Sequence, residues 1–239
     1  MKGSCLASLA LAFLLTDCGR PVEAPARQVV RLPAFCAQKN LGLTVVGDSL
    51  ARGWGASAPQ KDFAWLIYDG VRRTHPKATL RNLGMPGATT DEIAAKEVSQ
   101  IHTGDCSLVV VISGANDVQK LYTPRHFERS YDTLLGGIRT RLPHAALVVV
   151  GLPDVSLSPR IPWILKPLES RLSRDGSASI AAAANHYGAA FVPLYDLSRK
   201  ESHKSAALLS ADGIHPNDAG YRIMAGAALV SVATVLRAQ

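Results

Sequence analysis

Short runs of apolar residues alternate along the chain with longer segments in which apolar positions recur every three or four residues. The first run, Leu43-Thr44-Val45-Val46, is rich in β-branched side chains and ends at Gly47, which reads as a strand. Strands are likewise expected at 79–83, 108–113, 146–150 and 191–194. Residues 108–113 (Leu108 to Ser113) are the plainest case, apolar at five consecutive positions. A run that is apolar throughout belongs to a sheet covered on both faces. The intervening segments 63–74, 89–101, 125–142, 168–187 and 217–236 carry helical spacing, and Thr89 and Glu92 stand at capping-box distance. Strand–helix alternation of this kind predicts an α/β fold with a parallel sheet. Residues 153–167 hold four prolines and the apolar trio Trp163-Ile164-Leu165. They predict a loop or broken helix over one end of the sheet, with the trio either packed in the core or lining a binding site.

The amino-terminal residues follow a different pattern. Lys2 precedes an apolar run of ten residues, 6–15, interrupted only by Ser8, too short to span a bilayer and suited to a signal peptide. Residues 1–18 are therefore expected to direct export, 19–41 to form a linker and lead-in, and 42–239 to form the folded domain. Leu15-Thr16-Asp17-Cys18 resembles a lipoprotein processing site, which would make Cys18 the lipidated residue and a membrane anchor; Asp17 departs from that pattern. Ala24-Pro25-Ala26 is a competing site for simple cleavage. The protein would then be periplasmic, anchored in the envelope, or secreted. No later segment is expected to cross a membrane.

Composition excludes little else. The chain has 239 residues, 47% hydrophobic and 19% charged, enough to bury a core. The net charge of +7 comes from scattered Lys and Arg without a basic run or stacking aromatics, so no nucleic-acid partner is expected. Weak attraction to anionic envelope surfaces fits better. A monomer is expected.

Ligands of open parallel sheets sit beyond the carboxyl ends of the strands. The first strand is followed by Gly47-Asp48-Ser49-Leu50. By itself Asp-Ser after a strand is more often a helix cap than a nucleophile. A serine hydroxyl needs a general base and donors for the oxyanion it creates. Asp212-Gly213-Ile214-His215 supplies a base, His215, with an orienting acid, Asp212. The second strand runs into a Gly-rich turn containing Gly84 and Gly87, and the third into Gly114-Ala115-Asn116-Asp117, whose Asn116 amide is a donor. Each block alone is bland, a turn or a cap. Together they place a nucleophile, donors and a base beyond successive strands.

In these blocks the chain resembles the SGNH, or GDSL-type, hydrolase family, over residues 42–236. The matching residues are Ser49, Gly87, Asn116 and His215. The resemblance implies a catalytic set of Ser49, Asp212 and His215 and an oxyanion hole of Ser49 and Gly87 N–H groups with the Asn116 side chain. It implies a three-layer α/β/α, flavodoxin-like fold with five parallel strands in the order 2-1-3-4-5. Strands one and three are then neighbours, which places Cys36 and Cys106 together at the opposite end of the sheet and implies a disulfide between them. The expected activity is hydrolysis of small or lipid-type acyl esters or thioesters through an acyl-enzyme on Ser49, with no cofactor. Removal of O-acetyl groups from glycans is the alternative, and the active-site loops show no aromatic-rich platform for sugar. A catalytically silent binding domain and a metal site built on Asp212 and His215 are weaker alternatives. The Gly-x-Ser-x-Gly elbow of other serine hydrolases is absent around Ser49. No residue stands out as substrate-binding.

Overall fold

Five strands form where the apolar runs stand: β1 (Gly42–Gly47), β2 (Thr79–Asn82), β3 (Ser107–Ile112), β4 (Ala146–Val150) and β5 (Ala190–Val192). The structure, a computed structural model, describes residues 28–34, 36, 40–101, 103–104 and 106–237. The expected signal segment, Cys18 and the first part of the lead-in lie outside the described residues. The strands pair in parallel in the order β2-β1-β3-β4-β5. β1 and β3 match residue for residue from Gly42 opposite Ser107 to Gly47 opposite Ile112, so both end level at the carboxyl edge.

Successive side chains of a strand point to opposite faces. Here both faces are apolar. Val45, Val110, Val148 and Val192 meet Phe63 and Ile67 of α2 (Phe63–Arg72) and Tyr221, Ala228 and Val232 of α9 (Asp218–Leu236). Val46, Val109, Val111 and Val149 meet Ile93 of α3 (Thr90–Glu97), Phe127 and Leu134 of α5 (Pro124–Arg141) and Ile180 of α6 (Lys166–His186). The result is the expected three-layer sandwich. Every residue of β3 is buried and none of β2 is, which is why the third strand was plain in sequence and the second faint.

Several boundaries differ from expectation. β5 stops at Val192 because Pro193 has no N–H for the ladder, and Leu194 opens α7 (Leu194–Lys200), followed by α8 (Ser205–Leu208). The proline-rich segment contains one short 3₁₀ turn, Val155–Leu157, and then enters α6, where Pro167 occupies a first-turn position that needs no N–H donor. Trp163 and Ile164 are neither core nor pocket wall: they are 83% and 68% exposed. α9 is long and apolar enough to cross a membrane, contrary to the reading of the sequence. Its Tyr221, Met224, Ala228 and Val232 are buried against the sheet at helical spacing, so it is built as a core helix.

Cys36 and Cys106 form a disulfide. Cys106 precedes β3 and its carbonyl accepts from Gly42 N–H at 3.0 Å, so the bridge sits at the amino edge, away from the loops beyond the carboxyl ends. Disulfides persist in oxidising, exported locations. The bridge closes a loop across a separation of 70 residues. Replacing both cysteines with Ser is therefore expected to cost about 4 kcal/mol, the chain entropy such a loop removes from the unfolded state. Urea midpoints of parent and double variant measure this; coincident midpoints would show that the bridge contributes nothing.

Candidate active site

β1 can end flush against β3 only because residue 47 is glycine. Its φ is +153°, and a Cβ there would lie 1.9 Å from the Ile112 carbonyl oxygen. The chain then turns into α1 (Ser49–Arg52). Asp48 is the N-cap, its carboxylate accepting from Leu50 N–H at 2.9 Å. Cap and nucleophile candidate are thus neighbouring residues rather than rival readings of one. Ser49 opens the helix, and its N–H meets no acceptor among the described residues.

The His215 loop comes from the far end of the chain and is tied down on both sides. Ser210 N–H donates to the His215 carbonyl at 2.8 Å, Asn217 N–H donates to the Leu208 carbonyl at 2.9 Å, and the Asn217 side chain caps α9 through Ala219 and Gly220. His215 Nε2 lies 3.0 Å from Ser49 Oγ, and His215 Nδ1 lies 2.6 Å from Asp212 Oδ2. The other Asp212 oxygen accepts from Ile214 N–H, His215 N–H and the Ser210 hydroxyl. Burial alone would raise the Asp212 carboxyl. The bonds from the His215 ring, the two N–H groups and Ser210 outweigh it and hold the group well below the usual carboxylate range. Asp212 is thus a fixed anion that orients the imidazole and can stabilise its protonated form. The Trp54 ring stands edge-on to His215 with centroids 5.4 Å apart.

Asn116 lies in α4 (Ala115–Gln119), directly beyond β3. One hydrogen of its amide is held by the Ala88 carbonyl at 2.9 Å, leaving the second for another acceptor. Ala88 follows Gly87, whose φ of +79° favours glycine and whose missing Cβ would meet nothing within 4 Å. Gly87 N–H likewise meets no acceptor among the described residues. The structure therefore gathers Ser49, Asp212, His215 and Asn116, with Gly87 on the turn that anchors Asn116.

A cavity of about 160 Å³ opens on Ser49, Asn116 and His215. Its walls are mainly apolar, with Leu157, Ile161, Leu194, Leu197, Leu208 and Met224 among them. They come from the proline-rich segment, α7, α8 and the start of α9. The trio 163–165, one of whose expected positions was such a wall, is not part of it.

A parallel sheet bearing a hydroxyl–imidazole–carboxylate chain at its carboxyl edge is the architecture of acyl hydrolases. The sequence model of the GDSL-like Lipase/Acylhydrolase family matches residues 45–223, and the chain belongs to that family of ester hydrolases. Solved structures agree on the fold. TesA superposes with a TM-score of 0.65 at 20% identity, covering 82% of this chain and 99% of its own. The lipase/acylhydrolase from Enterococcus faecalis gives 0.62 at 18%, covering 83% and 98%. A two-domain esterase (CEX) active on acetylated mannans gives 0.63 at 19%, covering 84% of this chain and 52% of its own. This chain thus spans about half the length of CEX. No curated protein matches the sequence.

Behind the site lies a polar layer that the sequence reading missed. Asp117, fully buried, accepts from Thr90 N–H at 3.1 Å and from the Thr90 hydroxyl at 3.3 Å, and its Oδ1 lies 2.8 Å from His126 Nε2. It braces the Gly87 turn against the Asn116 helix. Glu97 accepts from Gly47 N–H at 3.0 Å. Asp48 Oδ2 and Glu97 Oε1 are buried without hydrogen-bond partners among the described residues. Burial, with the charge of Asp117 adding, pushes Asp48 up to about 7 against the pull of Leu50 N–H. Burial, with the charge of Asp48 adding, pushes Glu97 up to about 8 against the pull of Gly47 N–H.

These shifts carry a sign. In the unfolded chain both carboxyls ionise near pH 4. Above that, the folded state holds more protons than the unfolded one, so stability falls as pH rises and this contribution is lost through pH 7 to 8. Denaturant midpoints are expected to decrease from pH 5 to pH 9, and Glu97→Gln to flatten the decline above pH 7. A midpoint that rises over this range would contradict the assignment.

Proposed function

We propose that the protein is a serine carboxylesterase of short- and medium-chain acyl esters, working outside the cytoplasm. Ser49 Oγ attacks the acyl carbon while His215 Nε2 takes its proton. The carbonyl oxygen becomes an oxyanion, which Ser49 N–H, Gly87 N–H and the free hydrogen of the Asn116 amide receive. Collapse expels the alcohol, which leaves with the proton from His215. Water then attacks the Ser49 acyl ester, with His215 again as base, and the acid departs.

The observation that carries the substrate class is the apolar cavity beside Ser49. A dry cavity of roughly 150 Å³ holds a guest of about six carbons, and this one has about 160 Å³. An acyl group of about that length can be buried there, whereas a much longer chain would have to leave it. A second reading, de-acetylation of glycans, is favoured by the exposed Trp54 ring next to His215 and by the acetylated-mannan activity of the related CEX. An acetyl group would leave most of the cavity empty.

Nitrophenyl esters from acetate to palmitate, assayed beside acetylated mannan, decide between the two. The expected profile rises from acetate to a maximum between butyrate and octanoate and falls at least tenfold by palmitate. An optimum at acetate, together with release of acetate from mannan, would overturn the acyl-ester reading. The proposed export fits the disulfide, while lipidation at Cys18 rests on the sequence alone.

A further inference from the structure

Residues 159–168, which hold three prolines, join the cavity wall through Ile161 and turn Trp163, Ile164 and Leu168 outward. Trp163 and Ile164 are mostly solvated. Leu168, in the first turn of α6, is 43% exposed, and Ile214 on the His215 loop is 41% exposed. The segment is held rather than loose. Arg160 N–H donates to Ser158 Oγ, Leu165 N–H donates to the Pro162 carbonyl, and Lys166 Nζ donates to the carbonyls of Ser156 and Ser158. It is also coupled to the site: Ser158 Oγ donates to the Gly213 carbonyl at 2.6 Å, while Ile161 and Ile214 both line the cavity.

The charges around this knuckle are unbalanced. Residues 159–175 contain Arg160, Lys166, Arg171 and Arg174 against Glu169 and Asp175, a net of +2. Glu169 is buried and Asp175 is engaged by Arg171 and Arg174, so the solvent face is cationic. Exposed Trp beside aliphatic residues, rimmed by cations, matches the boundary between anionic headgroups and acyl chains. A second copy of the chain would match less well, because a two-fold contact would set one cationic rim against another.

We propose that this face docks the enzyme on an anionic phospholipid bilayer. Trp163 and Ile164 enter the headgroup–acyl boundary, and ester substrate passes from the membrane to Ser49 beside the apolar wall of Ile161 and Ile214. The proposal rests on the acyl-ester reading of the site and extends it to where the substrate is met.

The test compares three full-length chains with the same amino terminus: the parent, Trp163→Ser with Ile164→Ser, and Arg160→Glu. Each is assayed on soluble nitrophenyl butyrate and on the butyrate of a long-chain alcohol embedded in phosphatidylcholine vesicles, with or without phosphatidylglycerol. The double variant is expected to lose about tenfold on embedded ester while staying within about twofold on soluble ester. Arg160→Glu is expected to lose about fivefold, and only where phosphatidylglycerol is present. An unchanged ratio of embedded to soluble rates overturns the docking proposal. So does a parent dimer in sedimentation that the double variant dissolves, since the patch would then bind a second copy. A parent inactive on soluble ester sinks the acyl-ester reading instead, and co-sedimentation with the same vesicles then tests docking alone.

Discussion

Ser49→Ala is expected to remove ester hydrolysis, lowering kcat by roughly 10⁵–10⁶-fold, the scale on which a hydroxyl–imidazole pair works as a unit. The variant should fold as the parent does. Among the described residues Ser49 Oγ has one hydrogen bond, to His215, and no part in capping α1, which belongs to Asp48. The Ser49 N–H, proposed as an oxyanion donor, survives the change. Residual hydrolysis should therefore stay above the rate in water, through the remaining donors and binding alone. Hydrolysis of nitrophenyl butyrate and labelling by a fluorophosphonate check the two halves of the expectation. A variant retaining a tenth of parental activity, or a label found elsewhere than Ser49, would remove this serine from the mechanism.

Asp212→Asn should be nearly as damaging, by about 10⁴-fold in kcat. The reason is local. Asp212 Oδ1 accepts from Ile214 N–H, His215 N–H and the Ser210 hydroxyl, so an asparagine must keep its carbonyl oxygen there. Its NH₂ then faces His215 Nδ1 and makes that nitrogen the acceptor. The ring proton moves to Nε2, and the nitrogen 3.0 Å from Ser49 Oγ can no longer take a proton. Because Asp212 is held ionised far into acid, the parent keeps the productive tautomer wherever its imidazole is neutral. A drop of less than tenfold in kcat would show that the imidazole is oriented by something else.

The parts of this molecule legible in sequence are those whose reason is local. The unbroken apolar run of β3 has one physical explanation, burial on both faces, and β1 and β4 share it. The blocks beyond the strands were legible because glycine, serine, asparagine and histidine appeared in company. What stayed hidden is tertiary. Asp117 bonds to Thr90 across 27 residues, and His126 looked like any histidine near a helix start. Nothing in sequence sets Glu97 apart from the other charges of α3; its contact with Gly47 N–H spans 50 residues. The Leu194 and Leu197 spacing was the available signal for α7, but Pro193 and the preceding apolar pair made it look like the end of a strand. Hydrophobicity said that Trp163 and Ile164 mattered without saying which way they face.

Ser49 and His215 meet across 166 residues of chain. Ser49 stands just after β1 and His215 just before α9, so a chain must extend past residue 215 before it can hold both. During synthesis the growing polypeptide carries Ser49 long before it carries His215. The pair exists only where the His215 loop, tied to the start of α9 through the Asn217 cap, stands over the sheet edge. The connectivity thus acts as a timer: the hydroxyl–imidazole pair on which ester opening would depend is assembled only with the completion of the fold.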